Sequence, residues 1–486
     1  MGGKDRLPAA SDAVAAVAAL IARARAAQRI FETWTQAQVD EAVTAAGWAI
    51  VDPEHNRALA ELAVRDTGLG NAADKFAKNR RKTMGLLRDL SGKKSVGVIA
   101  EMPELALVEI ARPVGVVGAL TPSTNPAATP ANNIINALKG RNAIIVAPSP
   151  RGSSTLALLL SYIHAELDRV GAPRDLVQEL PPPLTREATA ELMRQVDLVV
   201  ATGSQNNVRA AYSSGTPAIG VGTGNVAVIV DETANLADAA DKIARSKTFD
   251  NATSCSSENS VIAVASVCEP LLAALAACGG VLLDAAEKRT LQRAMFAGGR
   301  LAAEFIAQDA PTIALRAGLA RPALSAARFL IVEDSGVGPE HPFSGEKLSP
   351  VLTLYRVRDF AAAAALADRL LRHQGAGHSV GLHTREDERA VELGLTLPVC
   401  RVIVNQAHCF ATGGSYDNAL PFSLSMGCGT WGRNSISDNL NYRHFLNITR
   451  VVRPLPADRV EEPTEEALFG AYLAKTGRKS ARKSGR

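Results

Sequence analysis

Aromatic residues are scarce, 4 % of the chain against a hydrophobic share of 47 %. The interior must therefore be filled by Ala, Val, Leu and Ile, as in soluble α/β enzymes. No CxxC pair occurs among the six cysteines, Cys255, Cys268, Cys278, Cys400, Cys409 and Cys428. That scatter argues against a zinc site and a disulfide scaffold, and it fits a reducing cytoplasm. Met1 to Ala10 carries charges and a proline where a signal peptide needs an apolar core, so secretion is not expected. The longest apolar stretch, Val261 to Leu283, is broken by Glu269-Pro270 and Gly279-Gly280 and reads as strand, helix and strand, not as a membrane span. Charge is nearly balanced at +4, part of it in the basic tail Lys475 to Arg486, and nothing else suggests a nucleic-acid surface. Internal repeats and a GxGxxG turn after the first strand are also missing.

What is present is enough chain for two or three domains at 486 residues. Ser11 to Trp34 has apolar groups at helical spacing, Thr35-Gln36-Ala37-Gln38 opens a second helix towards Val51, and further amphipathic helices run to about Leu90. Two alternating runs, Ser95 to Glu101 and Leu105 to Ile110, predict a β-hairpin that needs a partner surface, read as an arm packing on another subunit. From Val114 apolar strands (Val114 to Leu120, Ala143 to Ala147, Leu198 to Ala201, Val226 to Val230) alternate with helices, the rhythm of a covered parallel sheet. A second α/β unit starts near Cys255, with strands from Ser260, Phe329, Val351, Ser379 and Arg401. His444 to Val452 reads as one more strand, and Thr464 to Lys475 as a helix capped by Thr464, ahead of a basic tail. The expected division is a dinucleotide-binding domain over 1–250, interrupted by the arm at about 95–112. A catalytic domain over 251–426 and a closing segment over 427–486, with an oligomerisation strand, follow.

Chemistry concentrates in loops. Thr248-Phe249-Asp250-Asn251-Ala252-Thr253-Ser254-Cys255-Ser256-Ser257-Glu258 lies between a helical segment and an apolar strand, which would hold Cys255 rigidly and within reach of a substrate. A free thiol titrates near about 8.5 and needs a base or a perturbed environment to react. By itself Cys255 could equally be a small buried hydrophobe. Thr121-Pro122-Ser123-Thr124-Asn125-Pro126, Ala201-Thr202-Gly203-Ser204 and Ala218-Ile219-Gly220-Val221-Gly222-Thr223-Gly224-Asn225 are loops that end strands or lead into them, where helix N-termini suit a phosphate; each could also be only a tight turn. Glu346, in Gly345-Glu346-Lys347-Leu348-Ser349-Pro350, puts a carboxylate before a strand. His378, in Gly375-Ala376-Gly377-His378, puts an imidazole after a helix, and Gly427 to Ser435 is a glycine-rich tract. Singly, Glu346 could be a cap or ion-pair partner and His378 a structural histidine.

Taken together, Ala211 to Asn225, Ser246 to Asn251 leading to the cysteine, Glu346 to Pro350 and the Gly427 tract resemble the aldehyde dehydrogenase superfamily, in its CoA-acylating branch, over about Ala27 to Arg453. The resemblance implies two Rossmann-like α/β domains with parallel-rich sheets and a β-arm. It implies that Cys255 is the nucleophile and that Asn125, with the Cys255 backbone N–H, steadies the oxyanion. It also places Thr121, Pro122, Ser123, Ser149, Thr202, Gly203, Ser204, Gly222, Gly224 and Glu346 at the cofactor, NAD or NADP, with CoA as co-substrate and no metal. Where hydrolytic relatives carry a glutamate base in Glu-Leu-Gly-Gly, this chain has Ile219-Gly220-Val221-Gly222, so a cysteine thioester would persist until CoA attacks it. Where they carry a ribose-binding lysine, it has Ala147-Pro148-Ser149-Pro150-Arg151, which leaves NAD against NADP open.

Within the branch, Asn405 to Ala411 and Leu420 to Ser425 are similar to acylating sulfoacetaldehyde dehydrogenases. His378, His408 and Arg433 are then candidates for holding an anionic substrate. The expectation is a cytoplasmic homodimer or homotetramer that oxidises a short aldehyde, sulfoacetaldehyde before acetaldehyde, to its acyl-CoA, with no nucleic acid or membrane partner. The alternatives are a hydrolytic or phosphorylating semialdehyde dehydrogenase and a non-catalytic assembly protein of the same fold.

Overall fold

The structure, a computed structural model, describes residues 10–478; the first nine residues and most of the basic tail lie outside it. Four helices come first: α1 (Ala10–Phe31), α2 (Gln36–Val51), α3 (Pro53–Thr67) and α4 (Ala72–Leu90). Thr35 caps α2 as its sequence predicts, in a reciprocal capping box with Gln38. The apolar stripes of α1 and α2 pack on the first sheet and share one core with it.

Fifteen strands follow: β1 (Gly97–Met102), β2 (Leu107–Pro113), β3 (Val116–Leu120), β4 (Ala143–Ala147), β5 (Val177–Glu179), β6 (Leu198–Thr202), β7 (Ala218–Val221), β8 (Val226–Val230), β9 (Glu258–Val264), β10 (Gly280–Leu282), β11 (Phe329–Glu333), β12 (Val351–Val357), β13 (Val380–His383), β14 (Val402–Val404) and β15 (Leu446–Val452). They form three sheets, ordered β5-β4-β3-β6-β7, β10-β11-β12-β9-β8-β13-β14 and β1-β2-β15. The first two are parallel throughout. Their central strands are buried on both faces, which is why the apolar runs are continuous rather than alternating. Covering helices include α5 (Ala128–Lys139), α6 (Ser153–Arg169), α7 (Arg186–Gln195), α8 (Gln205–Tyr212), α9 (Leu236–Thr248) and α10 (Ala265–Ala277).

Two sequence expectations are corrected here. Val226–Val230, read as part of the first sheet, is β8, hydrogen-bonded to β9 and β13 of the seven-stranded sheet. Ala218–Val221, read as part of a loop, is β7, the edge of the five-stranded sheet. The chain thus crosses between sheets at Gly222 to Asn225, one helix earlier than the cysteine loop. The hairpin, read as an arm, gains a third strand from its own chain, because β15 pairs antiparallel with β2 along its length.

In the five-stranded sheet the order reverses between β3 and β6, the crevice where open α/β sheets bind ligands beyond their carboxyl ends. The loops of the seven-stranded sheet that face this crevice, before β8, β9 and β12, enter their strands rather than leave them. The helix Glu465–Thr476, capped by Thr464 as predicted, presents Leu468, Phe469 and Tyr472 to solvent.

Candidate active site

A cavity of about 400 Å³ lies between the two parallel sheets. From the five-stranded sheet it receives Thr121, Pro122, Ser123 and Asn125 after β3, Ser149 after β4, and Thr202, Gly203 and Ser204 at the end of β6. Ser204 caps α8 through the Asn207 N–H. From the other side come Gly222, Cys255 and Glu346. Eleven of the fourteen expected site residues outside His378 line this one space, namely all of those just named except Asn207. The other three, Gly224, His408 and Arg433, do not.

Gly224 packs against the backbone of Cys255. A Cβ there would lie 1.8 Å from the Cys255 carbonyl oxygen, so the close approach of the cysteine loop requires a glycine here. His408 is 1 % exposed. Its Nε2 sits 2.8 Å from Ser379 Oγ and its backbone N–H donates to Glu258, which turns it away from the cavity. Burial, with His378 and His383 nearby, holds its pKa well below the ordinary value, so it is no cation for an anionic substrate. Arg433 is exposed and ends a short turn in the left-handed region, φ 56°. Its neighbour Asn434 accepts from the N–H groups of Gly222 and Cys428, so the Gly427 tract braces the loop before β8 from behind.

Cys255 is half-buried, on the loop between α9 and β9. The loop is strained: Asp250, Asn251 and Ala252 have φ of 49°, 50° and 59°. Three consecutive non-glycine residues in this region cost roughly 1–2 kcal/mol each. A buried ion cluster holds them. Asp250, fully buried, bridges Lys75 and Lys78 of α4 and accepts from Thr253 Oγ1 at 2.7 Å. Burial pushes the Asp250 carboxyl up, and Lys78 and Lys75 more than reverse it, leaving it below the usual carboxylate range.

Lys78 also donates to Asn125 Oδ1 at 2.9 Å. With the carbonyl oxygen engaged, the Asn125 amide N–H2 group is the part left to donate towards the cavity. One cluster therefore fixes both the loop bearing the thiol and the side chain expected to face the oxyanion.

His378 is not on the cavity wall but directly behind the thiol. Its Nε2 is 3.4 Å from Cys255 Sγ, and its Nδ1 is 2.7 Å from Ser379 Oγ. Burial, then Arg401, lowers its pKa to about 3, so the imidazole is neutral. Arg401 bonds the His378 and Gly427 carbonyls and fixes this backbone.

Burial, then the charge of Glu346, raises the Cys255 thiol above its ordinary value. At neutral pH the pair is thiol and imidazole rather than thiolate and imidazolium. Iodoacetamide, which reacts with thiolate, is therefore expected to label Cys255 at pH 7 about tenfold or more slowly than free cysteine. The rate should rise about tenfold per pH unit up to pH 9. Mass spectrometry of the Cys255 peptide gives the rate; a pH-independent rate would mean a preformed ion pair.

Burial raises Glu346 to about 8. Its Oε1 and the Ser149 Oγ are buried without a hydrogen-bond partner, and both belong to residues lining the cavity, as expected of groups that wait for a polar ligand.

Sequence reasoning missed Lys82, Thr129, Gly413 and Met426 on the wall, and gave no role to Leu348, Cys409, Ser423 and Leu424, which also line it. Lys82 follows Lys75 and Lys78 at spacings of seven and four along α4, so the three lie on one face of the helix. That stripe was the available signal. Burial lowers Lys82 to about 7.

The chain is similar to known proteins over nearly its whole length. The sulfoacetaldehyde dehydrogenase (acylating) of Cupriavidus necator is 62 % identical over 469 residues, 96 % of this chain and 94 % of that one. An acetylating aldehyde dehydrogenase from Geobacillus thermoglucosidasius superposes with a TM-score of 0.89 at 36 % identity, covering 94 % of this chain and 99 % of its own. A Rhodopseudomonas palustris propionaldehyde dehydrogenase, solved with bound CoA and an acylated cysteine, gives 0.80 at 26 % identity over 90 % and 97 %. The family described as the aldehyde dehydrogenase family matches residues 6–279. With more than half of its length matched by that family and these relatives aligned almost end to end, the chain belongs to the aldehyde dehydrogenase family.

Proposed function

We propose that the chain is a CoA-acylating aldehyde dehydrogenase whose preferred substrate is sulfoacetaldehyde. The observation that carries the reading is the juxtaposition of Cys255, with neutral His378 3.4 Å behind it, and Asn125 on one cavity, in a chain whose hydrolytic-base motif is replaced by Ile219-Gly220-Val221-Gly222, without a carboxylate. Cys255 Sγ attacks the aldehyde carbon while His378 Nε2 receives the thiol proton, and the developing oxyanion is met by the Asn125 amide and the Cys255 N–H.

NAD or NADP, held in the cavity, would supply the hydride acceptor whose reduction leaves the acyl group on the Cys255 sulfur. The loops after β3, β4 and β6 and the free Glu346 and Ser149 oxygens fit such a group. The CoA thiol then displaces Cys255, giving acyl-CoA plus NAD(P)H from aldehyde, NAD(P) and CoA. This assignment draws on the names of the relatives, two of which act on aldehydes with acylation or acetylation in their descriptions.

A second reading has one observation behind it. Glu346 lines the same cavity, its charge reaches the Cys255 thiol, and at about 8 it could serve a water as base. Hydrolysis to free acid is then the rival. The test is NAD(P)H formation with sulfoacetaldehyde, acetaldehyde, propanal and succinate semialdehyde, with and without CoA. The acylating reading expects turnover to require CoA and yield acyl-CoA; equal rates without CoA, with free acid as product, overturn it.

Location and assembly belong to the same proposal. No helix among the described residues is long and apolar enough to cross a membrane, and the free cysteines fit a reducing cytoplasm. A homodimer or homotetramer, with CoA and a small aldehyde as the other partners, completes it.

A further inference from the structure

A small side pocket, about 30 Å³, opens off the main cavity and shares with it Asn125, Ser254, Lys82, Cys409 and Leu424. Three cations border it, Lys78, Arg81 and Lys82, and no carboxylate does. Lys78 is matched by Asp250 behind the wall. Lys82 has no ion-pair partner among the described residues; its Nζ donates only to the Gly413 carbonyl oxygen, at 2.6 Å. Arg81 donates to Ser415 Oγ at 2.8 Å, lies over the rings of Phe410 and Tyr416, and leaves its buried Nε without an acceptor. A buried cation with unused donors and no counter-ion is costly unless something anionic comes to it.

We infer that Lys82, assisted by Arg81, is the recognition site for the sulfonate of the substrate, and so selects aldehydes with an anionic head group one methylene from the carbonyl. The inference rests on the acylating reading above and supplies the residues that His408 and Arg433 do not. Ser254 and Asn125 border both the pocket and the reaction centre, so a carbonyl at Cys255 and a head group at Lys82 belong to one short molecule. The side pocket alone has room for roughly two waters, and it is continuous with the main cavity, so a sulfonate would sit across the mouth between them. A sulfonate carries its charge at every physiological pH and offers three acceptors to the Lys82 and Arg81 donors. Lys82, lowered by burial towards neutrality, is returned to its charged form by such an anion.

The experiment compares kcat/KM for sulfoacetaldehyde with kcat/KM for propanal, in the presence of CoA and NAD(P), for the full chain and for Lys82→Met. The sulfoacetaldehyde-to-propanal ratio is expected to fall about 100-fold, as for loss of a charged hydrogen bond, and Lys82→Arg is expected to restore most of it. A ratio unchanged in Lys82→Met overturns the inference. Unmodified protein gives an independent measurement should that variant fail to fold. Ethanesulfonate is expected to compete with propanal at concentrations where the neutral ethyl methyl sulfone does not; equal effects of the two, or none, overturn the inference as well. Failure of the parent reading is separately visible, as absence of CoA-dependent turnover with either aldehyde before any variant is compared.

Discussion

Cys255→Ala is expected to reduce CoA-dependent NAD(P)H formation by about 10⁴-fold or more, to the level of the buffer, while the fold is retained. No other group can take its place. The remaining cysteine on the cavity wall, Cys409, is raised by burial to about 12 and sits beyond Lys82 on a short helical turn. Losing the nucleophile of a covalent mechanism removes the step, not merely a contact within it. Thermal unfolding followed alongside the assay separates lost chemistry from lost structure, since alanine leaves only a small void in a site already facing a cavity. Retention of even a tenth of the activity would place the reaction on another group.

Asp250→Asn is expected to be the most damaging change of a residue that never meets the substrate. It would leave Lys75 and Lys78 facing each other with no counter-ion in a dry interior. Breaking a buried ion cluster from one side costs about 3–5 kcal/mol. The loss should appear as a lower denaturant midpoint with an unchanged slope. Activity should fall with it, because the same carboxylate ties down the left-handed run before Cys255 and, through Lys78, the orientation of Asn125. The pH dependence has a definite sign. Asp250 lies below its usual range in the folded state, so the stability it contributes is present above the unfolded value of about 3.9 and is lost as pH falls through the folded one. A variant as stable as the parent chain at pH 7 would show that the cluster is not what secures the loop.

The cysteine loop was legible because local signals agreed there: a helical segment, small hydroxyl residues and an apolar strand in succession, now seen as α9, the loop and β9. The strand, helix and strand over Val261 to Leu283 was legible for the same reason, with Pro270 accommodated inside α10. What stayed hidden depended on pairing at a distance. A run such as Val226–Val230 states that it is buried on both faces but not in which of two parallel sheets, since either environment accepts the same residues. The lysines of α4 look like a solvated face until Asp250, 172 residues from Lys78, is brought against them. His408 and Arg433 illustrate the converse: charge type suggested anion binding, whereas burial disarms the first and exposure removes the second.

The three-stranded sheet has a consequence for how the chain is made. Asn447 of β15 meets Pro113 of β2 across 334 residues, so the hairpin leaves the ribosome long before the strand that covers it has been polymerised. At bacterial or eukaryotic elongation speeds of about 5–20 residues per second, the open edge of β2 is exposed for on the order of 20–70 s. Open edges recruit whatever strand is nearest. In a crowded polysome, the nearest strand is another nascent copy of the same hairpin, which makes this edge the place where premature chain-to-chain pairing would begin and where a chaperone has most to guard.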